Sequence, residues 1–228
     1  MYIARQPIFN RDLTVYGYEL LFRPDRKSNQ FGGASSVCAT ASVVEELFEA
    51  GFDPIVEDKF AFINCDGDFI NSNTIELINS EKLVIEVLES TKFNGKTINM
   101  IKELKDKGYL IALDDFDNNF YSKEIISLAD IIKFDLLATP LDSIENNVQE
   151  ALKQGKLLIA EKVENEGVYE MAHEMGFHLF QGYFFSKPKI VCKTNGRCSA
   201  ILKYTNILKE LQSQEPSYDI LKELIGSD

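Results

Sequence analysis

The sequence alternates short apolar runs with amphipathic stretches, and this alternation limits the folds open to the chain. Eight apolar runs have β-strand character: IARQPIF, VYGYELLF, FAFINCD, KLVIEVLE, YLIALDDF, IIKFDLL, KLLIAEKVE and HLFQGYFF. Amphipathic stretches that predict helices lie between them, at residues 37–50, 74–79, 96–107, 123–129, 143–154 and 167–175. Such alternation predicts a parallel sheet covered by helices, and nearly continuous apolar strands indicate that both sheet faces are buried.

Two α/β architectures fit this pattern, a closed barrel and an open doubly wound sheet. No glycine-rich phosphate loop follows any strand, which weighs against a nucleotide-binding open sheet. The first two strands are joined by the turn-rich segment Asn10-Arg11-Asp12, which predicts a hairpin. Glycines that accept the left-handed conformation are expected to end four of the helical stretches, at Gly51, Gly108, Gly155 and Gly176.

The C-terminal part of the chain has a different pattern. Residues 199–214 and 218–225 are amphipathic helical segments separated by Glu215-Pro216-Ser217, and no strand follows them. We therefore predict a barrel domain over 1–198 and a helical tail over 199–228. The tail either packs on the barrel or begins a second domain.

Charge and composition restrict the function. The 228 residues carry 24 Lys and Arg against 36 Asp and Glu, so the formal net charge of −12 argues against DNA or RNA polymers as partners. The chain has only two histidines, so carboxylates and lysine must supply most of any catalysis.

We expect a cytoplasmic protein with no membrane attachment. The apolar runs are much shorter than the ~18–20 residues needed to span a bilayer, and the N-terminus lacks the pattern of a signal peptide. The cysteines form no CxxC pair, and we expect most of them to be small apolar residues in a reducing compartment. A Cys192–Cys198 disulfide is the alternative.

Polar side chains lie within the apolar runs or at their ends. They are Glu19, Asn64, Glu86, Asp114, Asp115, Lys133, Glu161 and Gln181. Each alone is explained by a solvated loop or a helix cap, but in a barrel the C-terminal strand ends face one mouth. Clustered carboxylates repel each other unless a counter-charge is present, and Mg²⁺ or Mn²⁺ suits oxygen ligands. Adjacent aspartates indicate a pair of cations, an arrangement that supports in-line displacement at phosphorus.

With these residues the sequence resembles the EAL-domain family, phosphodiesterases that open the bacterial second messenger cyclic di-GMP. The resemblance covers residues 6–188. It rests on an ordered set of motifs: Glu19-Leu20-Leu21 followed by Arg23, Asn64, Glu86-Val87-Leu88-Glu89, Asp114-Asp115-Phe116, Lys133-Phe134-Asp135, Ala160-Glu161-Lys162-Val163-Glu164, and Gln181-Gly182-Tyr183 with Pro188.

The resemblance implies a modified (β/α)8 barrel of the TIM type, with an antiparallel first strand, that converts cyclic di-GMP to linear pGpG. It implies one divalent cation, Mg²⁺ or Mn²⁺, on Glu19, Asn64, Glu86 and Asp114, and a second on Asp114, Asp115 and Glu161. Lys133, Glu161, Gln181 and Glu89 would serve catalysis or its support. Gln6, Arg23, Asp135 and Pro188 would contact substrate. The resemblance also implies a homodimer.

The chain resembles most closely the EAL domains that are fused to an HDOD domain, because Lys162 replaces the glycine of the usual AEGVE segment. The tail resembles the opening helices of HDOD, so we expect a truncated second domain through which protein partners bind. The segment Phe116-Asp117-Asn118-Asn119-Phe120 lacks the family's glycines. An inactive cyclic di-GMP receptor or interaction scaffold is therefore the alternative function, and an unrelated metal-dependent barrel enzyme is a third.

Overall fold

The computed structural model describes residues 2–25, 36–72, 74–116, 121–194, 206, 207, 210, 211, 213 and 215–226. Their strands are β1 (Tyr2–Asn10), β2 (Val15–Arg23), β3 (Phe60–Cys65), β4 (Leu83–Val87), β5 (Leu110–Leu113), β6 (Ile131–Asp135), β7 (Leu157–Glu161), β8 (Leu179–Phe180) and β9 (Lys189–Lys193). The first eight match the eight apolar runs of the sequence. The ninth was not predicted, because its residues are half-buried or exposed and form no apolar run.

The strands close into a barrel, as predicted, and the open doubly wound alternative is wrong. Strands β2 to β8 are parallel neighbours in chain order, and β1 closes the barrel antiparallel to both β2 and β8. Beyond the short β8, β9 pairs with the other end of β1. Cys192 on β9 carries a free thiol, so the Cys192–Cys198 disulfide alternative is also wrong.

In the described part of the chain, the helices lie between the strands, except the last, which follows β9. They are α1 (Ser36–Ala50), α2 (Asp53–Val56), α3 (Gly67–Ile70), α4 (Gly95–Asp106), α5 (Lys123–Leu128), α6 (Leu141–Lys153), α7 (Glu166–Met175) and α8 (Tyr218–Gly226). The predicted helix over 74–79 is instead a 3₁₀ turn, Thr74–Leu77, and the short α2 and α3 were not predicted. The four helix-ending glycines all have positive φ, between 71° and 105°, as predicted.

The tail is described only in part. Helix α8 confirms the predicted helix over 218–225, and none of its residues is buried. Most of the predicted helix over 199–214 lies outside the described residues, so the division at residue 198 stays a prediction. Over the described part of the chain, every helix is too short or too polar to cross a membrane.

Side chains fill the barrel in two layers, one apolar and one polar. The apolar layer is formed by Ile8, Phe62, Val84, Ala112, Ile131, Ile159 and Leu179. Because strand side chains alternate with a period of two, the residues two positions further on face the same interior. On the parallel strands those residues are Asn64, Glu86, Asp114, Lys133, Glu161 and Gln181, and on the reversed β1 the corresponding residue is Gln6.

Strand β2 contributes Gly17 at the level of the apolar layer. A Cβ atom there would lie 2.7 Å from the Phe62 ring and 2.8 Å from the Phe60 carbonyl oxygen. Gly17 therefore leaves the space that Phe62 fills, and two residues later β2 presents Glu19 to the polar layer.

We predict that Gly17→Ala lowers the free energy of unfolding by about 1–3 kcal/mol, because the added methyl group overpacks a site bounded by backbone. Gly95→Ala, at the start of α4, is the matched control, since its Cβ would meet nothing within 4 Å. Urea denaturation followed by circular dichroism measures both. Equal stability of the Gly17 and Gly95 variants would contradict the layer packing described above.

Candidate functional site

A cavity of about 320 Å³ opens at the carboxyl ends of the parallel strands, above the apolar layer. It is lined by the predicted residues Gln6, Glu19, Arg23, Asp114, Asp115, Lys133, Glu161, Gln181 and Pro188. It is also lined by residues to which the sequence assigned no role, among them Leu137, Lys162, Glu164 and Tyr183. The barrel thus brings together most of the predicted polar set at one mouth.

Lys133 forms the floor of this cavity. Its Nζ lies 2.7 Å from Glu86 Oε1, 2.8 Å from Asp114 Oδ1 and 2.8 Å from Glu161 Oε1, and only 1% of its side chain is exposed. Burial by itself would lower the pKa of Lys133, but the charges of the three carboxylates outweigh burial and hold that pKa well above its usual range. Lys133 is therefore a permanent buried cation.

One lysine does not balance the carboxylates around it. Burial raises the pKa of Glu86 well above its usual range, against the opposing charge of Lys133. Burial likewise raises the pKa of Glu161 to about 8. The pKa of Asp115 is raised by burial and by the neighbouring charge of Asp114. The site is short of positive charge, which is the condition under which a divalent cation binds.

The available donors suit such a cation. Glu86 Oε2 is buried and has no hydrogen-bond donor among the described residues. Five carboxylates and the amide of Asn64 offer oxygen atoms only, the ligand type that hard divalent cations prefer. Glu89, Asp114 and Asp115 also offer carboxylate oxygens that all lie within 4.8 Å of one another. The residues therefore fit divalent cations, with Glu89 beside the predicted set.

A chain of amide groups holds Glu19 in place. Asn64 Nδ2 donates to Glu19 Oε1 at 2.9 Å, and Gln181 Nε2 donates to Glu19 Oε2 at 2.6 Å. Gln181 Nε2 also lies 3.3 Å from Gln6 Oε1, and Gln6 donates to the Ser186 carbonyl oxygen at 3.0 Å. These bonds link β1, β2 and β3 to the segment after β8, so the orientation of Glu19 depends on closure of the barrel.

Two predicted ligands lie away from the cavity surface. Glu86 is fully buried below the floor, where it contacts Lys133. Asn64 lines a neighbouring, mostly apolar cavity of about 270 Å³ between β2, β3 and α1. Glu89 is exposed at the rim. The altered segment that follows Phe116 falls at residues 117–120, which lie outside the described residues.

Asp135 lies at the rim, where its Oδ2 is paired with Lys162 Nζ. Its Oδ1 accepts the backbone N–H groups of Leu137 at 2.8 Å and Ala138 at 3.1 Å. Although burial acts to raise it, the hydrogen bonds from Lys162 and the two backbone amides lower the pKa of Asp135. Asp135 is therefore a fixed anion that holds Lys162.

Sequence reasoning missed several residues at the mouth. Tyr183 and Leu137 are large side chains that remain 53% and 58% exposed beside the cavity. The Tyr121 hydroxyl donates to the Asp114 carbonyl oxygen at 2.7 Å and fixes the backbone of the aspartate pair. Lys162 directly follows Glu161 in the sequence, and this adjacency was the signal that could have identified it.

The central and C-terminal parts of the barrel match a known domain. The model of the EAL domain family matches residues 64–188. The Bacillus subtilis (strain 168) protein YuxH is 34% identical over 234 residues, covering 100% of this chain and 57% of YuxH. The cyclic di-GMP phosphodiesterase CdgJ of Vibrio cholerae is 31% identical over 231 residues, covering 100% of this chain and 53% of CdgJ. The chain thus spans about half the length of these curated relatives.

Solved structures share the fold. The Bacillus subtilis YkuI protein, which has an EAL domain and was solved in complex with its substrate c-di-GMP and calcium, matches with a TM-score of 0.64. The match has 18% sequence identity and covers 98% of this chain and 71% of YkuI. At this identity the similarity shows a common fold.

We predict that Lys133→Met lowers the free energy of unfolding by about 3–5 kcal/mol in the presence of a chelator, because buried carboxylates lose the cation that contacts them. Adding Glu86→Gln should recover part of this loss, since it removes one of the buried carboxyl groups that lose their partner. Denaturant titration measures both variants.

The matched control for this prediction is Lys102→Met. Lys102 forms an exposed ion pair with Glu124 at 2.7 Å, so its removal should cost less than about 1 kcal/mol. If both lysine variants lost the same stability, Lys133 would not be the counter-charge of the polar layer.

Proposed function

The chain belongs to the EAL domain family, and from this we propose that it is a metal-dependent phosphodiesterase that hydrolyses cyclic di-GMP to linear pGpG. The observation that carries the proposal is the polar layer, in which Glu86, Asp114 and Glu161 converge on one buried lysine. A protein that acted only by binding partners at its surface would have no need to bury several carboxylates together, because burying charges is costly. The named activity of CdgJ supports the same substrate.

We propose that the oxygen-bearing side chains at the mouth hold two divalent cations. Glu19, Asn64, Glu86 and Asp114 would hold one divalent cation, Mg²⁺ or Mn²⁺. Asp114, Asp115 and Glu161 would hold the second, with Asp114 shared between them. When bound, such cations lower the pKa of a coordinated water and offset the negative charge of the phosphoryl oxygens.

The chain's own groups would orient the reaction. Lys133 keeps its positive charge at any physiological pH, so it can stabilise the negative charge that develops during hydrolysis. Gln181 holds Glu19 and would help to orient the attacking water. Glu161, with a pKa of about 8 in the cation-free protein, would lose its proton when a cation binds.

Substrate contacts follow from the shape and charge of the cavity. Its volume of about 320 Å³ lies at the lower end of the range for ligand pockets, about 300–1,000 Å³. A cyclic dinucleotide would therefore insert its reacting phosphodiester and leave most of its other atoms at the rim. Arg23 would contact a phosphate, Gln6 would lie near a guanine, and Asp135 and Pro188 would contribute to the rim. Glu89 would steady the segment that follows Asp115.

The remaining expectations are also part of the proposal. We assign residues 199–228 to a helical tail that begins a domain of HDOD type, through which protein partners would bind. The exposed apolar side chains of α8, such as Ile220 and Ile225, support this assignment. We further propose a homodimer in the cytoplasm.

A second function is favoured by one observation. The segment Phe116-Asp117-Asn118-Asn119-Phe120 contains no glycine, although it follows the aspartate pair directly. If this segment cannot support the second cation, the protein would bind cyclic di-GMP without hydrolysing it and act as a receptor or scaffold. Turnover separates the two functions.

We predict that the protein releases pGpG from cyclic di-GMP in Mg²⁺ or Mn²⁺, as measured by chromatography, and that EDTA abolishes the reaction. Glu19→Ala should lower the rate by about 100-fold or more, because an oriented cation ligand is lost. Glu145→Ala, an exposed position on α6, is the control and should keep full activity. Micromolar binding without turnover would leave the receptor function. The absence of both binding and turnover would indicate a module that acts only through protein partners.

We also predict that Asp114→Asn abolishes binding at both cation sites, because Asp114 is assigned to both. Electron paramagnetic resonance of free Mn²⁺ measures the stoichiometry directly and without substrate. Asp142→Asn, exposed on α6, is the control and should bind like the original chain. Two cations bound by the Asp114 variant would refute the shared assignment.

A further inference from the structure

Lys162 follows the last residue of β7 in an unusual backbone conformation. Its φ is +54°, in the left-handed region that residues with a Cβ atom rarely adopt. Such a conformation persists only where the surrounding structure enforces it. The result is that the side chain lines the same cavity as Glu161, the residue immediately before it.

The ammonium group of Lys162 is anchored at the rim. Its Nζ is paired with Asp135 Oδ2, and Asp135 is itself held by the backbone amides of Leu137 and Ala138. The Lys162 side chain is 50% exposed, whereas that of Asp135 is only 11% exposed. The mostly buried carboxylate of Asp135 thus holds the accessible ammonium group of Lys162 at the rim of the acidic cavity.

The charge of Lys162 acts on the proposed second cation site. Lys162 lines the same cavity as Asp114, Asp115 and Glu161, and it directly follows Glu161 in the chain. Its half-exposed ammonium group, tethered by Asp135, therefore lies in the mouth that the three proposed ligands share.

We propose that Lys162 is a built-in counter-charge that weakens the second cation site formed by Asp114, Asp115 and Glu161. The inference rests on the function proposed above. Lys133 offsets part of the negative charge at the floor of the cavity, and Lys162 offsets part of that at its rim. A cation that enters at the rim must bind against the repulsion of Lys162. Occupancy of the second site, and with it hydrolysis, then depends on the free concentration of the divalent cation.

The test measures the binding of Mn²⁺ to the full chain without nucleotide, with electron paramagnetic resonance of free Mn²⁺ as the readout. Lys162→Met should tighten the weaker of the two dissociation constants by about tenfold, the size of the repulsion between an ammonium and a divalent ion a few ångströms apart in a water-like dielectric. Lys162→Arg keeps the charge and should leave this constant unchanged. Lys153→Met, exposed on α6, controls for the loss of one positive charge elsewhere.

A second neutral variant guards against misfolding. Lys162→Gly accepts the positive φ without strain and should tighten the same constant as Lys162→Met does. The inference would be overturned if the dissociation constant of the weaker site were unchanged in both Lys162→Met and Lys162→Gly. It would also be overturned if Lys153→Met changed that constant as much as the Lys162 variants do. If the original chain binds two cations and hydrolyses cyclic di-GMP, but the variants bind the weaker cation as the original chain does, only this inference fails. If no variant binds Mn²⁺, the proposed function fails with it.

Discussion

The buried ion cluster around Lys133 is the interaction on which the rest of the site depends. One ammonium group contacts Glu86, Asp114 and Glu161 within 2.8 Å, in a place almost closed to solvent. Burying charges is costly unless each is paired, so a change that removes one partner of this cluster should destabilise the fold. The members of the cluster come from β4, β6 and β7 and from the end of β5, four consecutive strands whose curvature in the barrel brings the side chains together. The excess of negative charge that remains is what suits the mouth to divalent cations.

The geometry of β-strands explains why this cluster forms above a dry layer. Side chains alternate along each strand, so an interior apolar residue is followed two positions later by an interior polar one. Phe62 and Asn64, or Ile131 and Lys133, show this relation. The apolar layer closes the barrel from below and excludes water from the ions. Gly17 lets Phe62 fill the layer. Gln181 donates to both Glu19 and Gln6, and so ties the reversed first strand to its neighbours.

The site has two lysines with different surroundings and different proposed tasks. Lys133 is enclosed, and its charge belongs permanently to the floor. Lys162 is half-exposed and tethered to Asp135, so its charge competes at the rim with any cation that enters from solvent. The chain belongs to the EAL domain family, and the cyclic di-GMP phosphodiesterase CdgJ is 31% identical to it. Under the function proposed for this chain, the floor lysine would support the reaction, and the rim lysine would adjust how easily the second cation binds.

The sequence by itself determined the eight strands, the reversed first strand, the helix-ending glycines and most of the polar residues at the mouth. These follow from local periodicity and turn chemistry, which a linear sequence carries. Only the tertiary structure decided that Glu86 is wholly buried, that Asn64 and Gln181 hold Glu19, and that Lys162 pairs with Asp135. Strand β9 was missed because it pairs with the distant β1 and has no apolar run of its own. These contacts join residues far apart in sequence, and the positive φ of Lys162 is imposed by its surroundings rather than by the residue type.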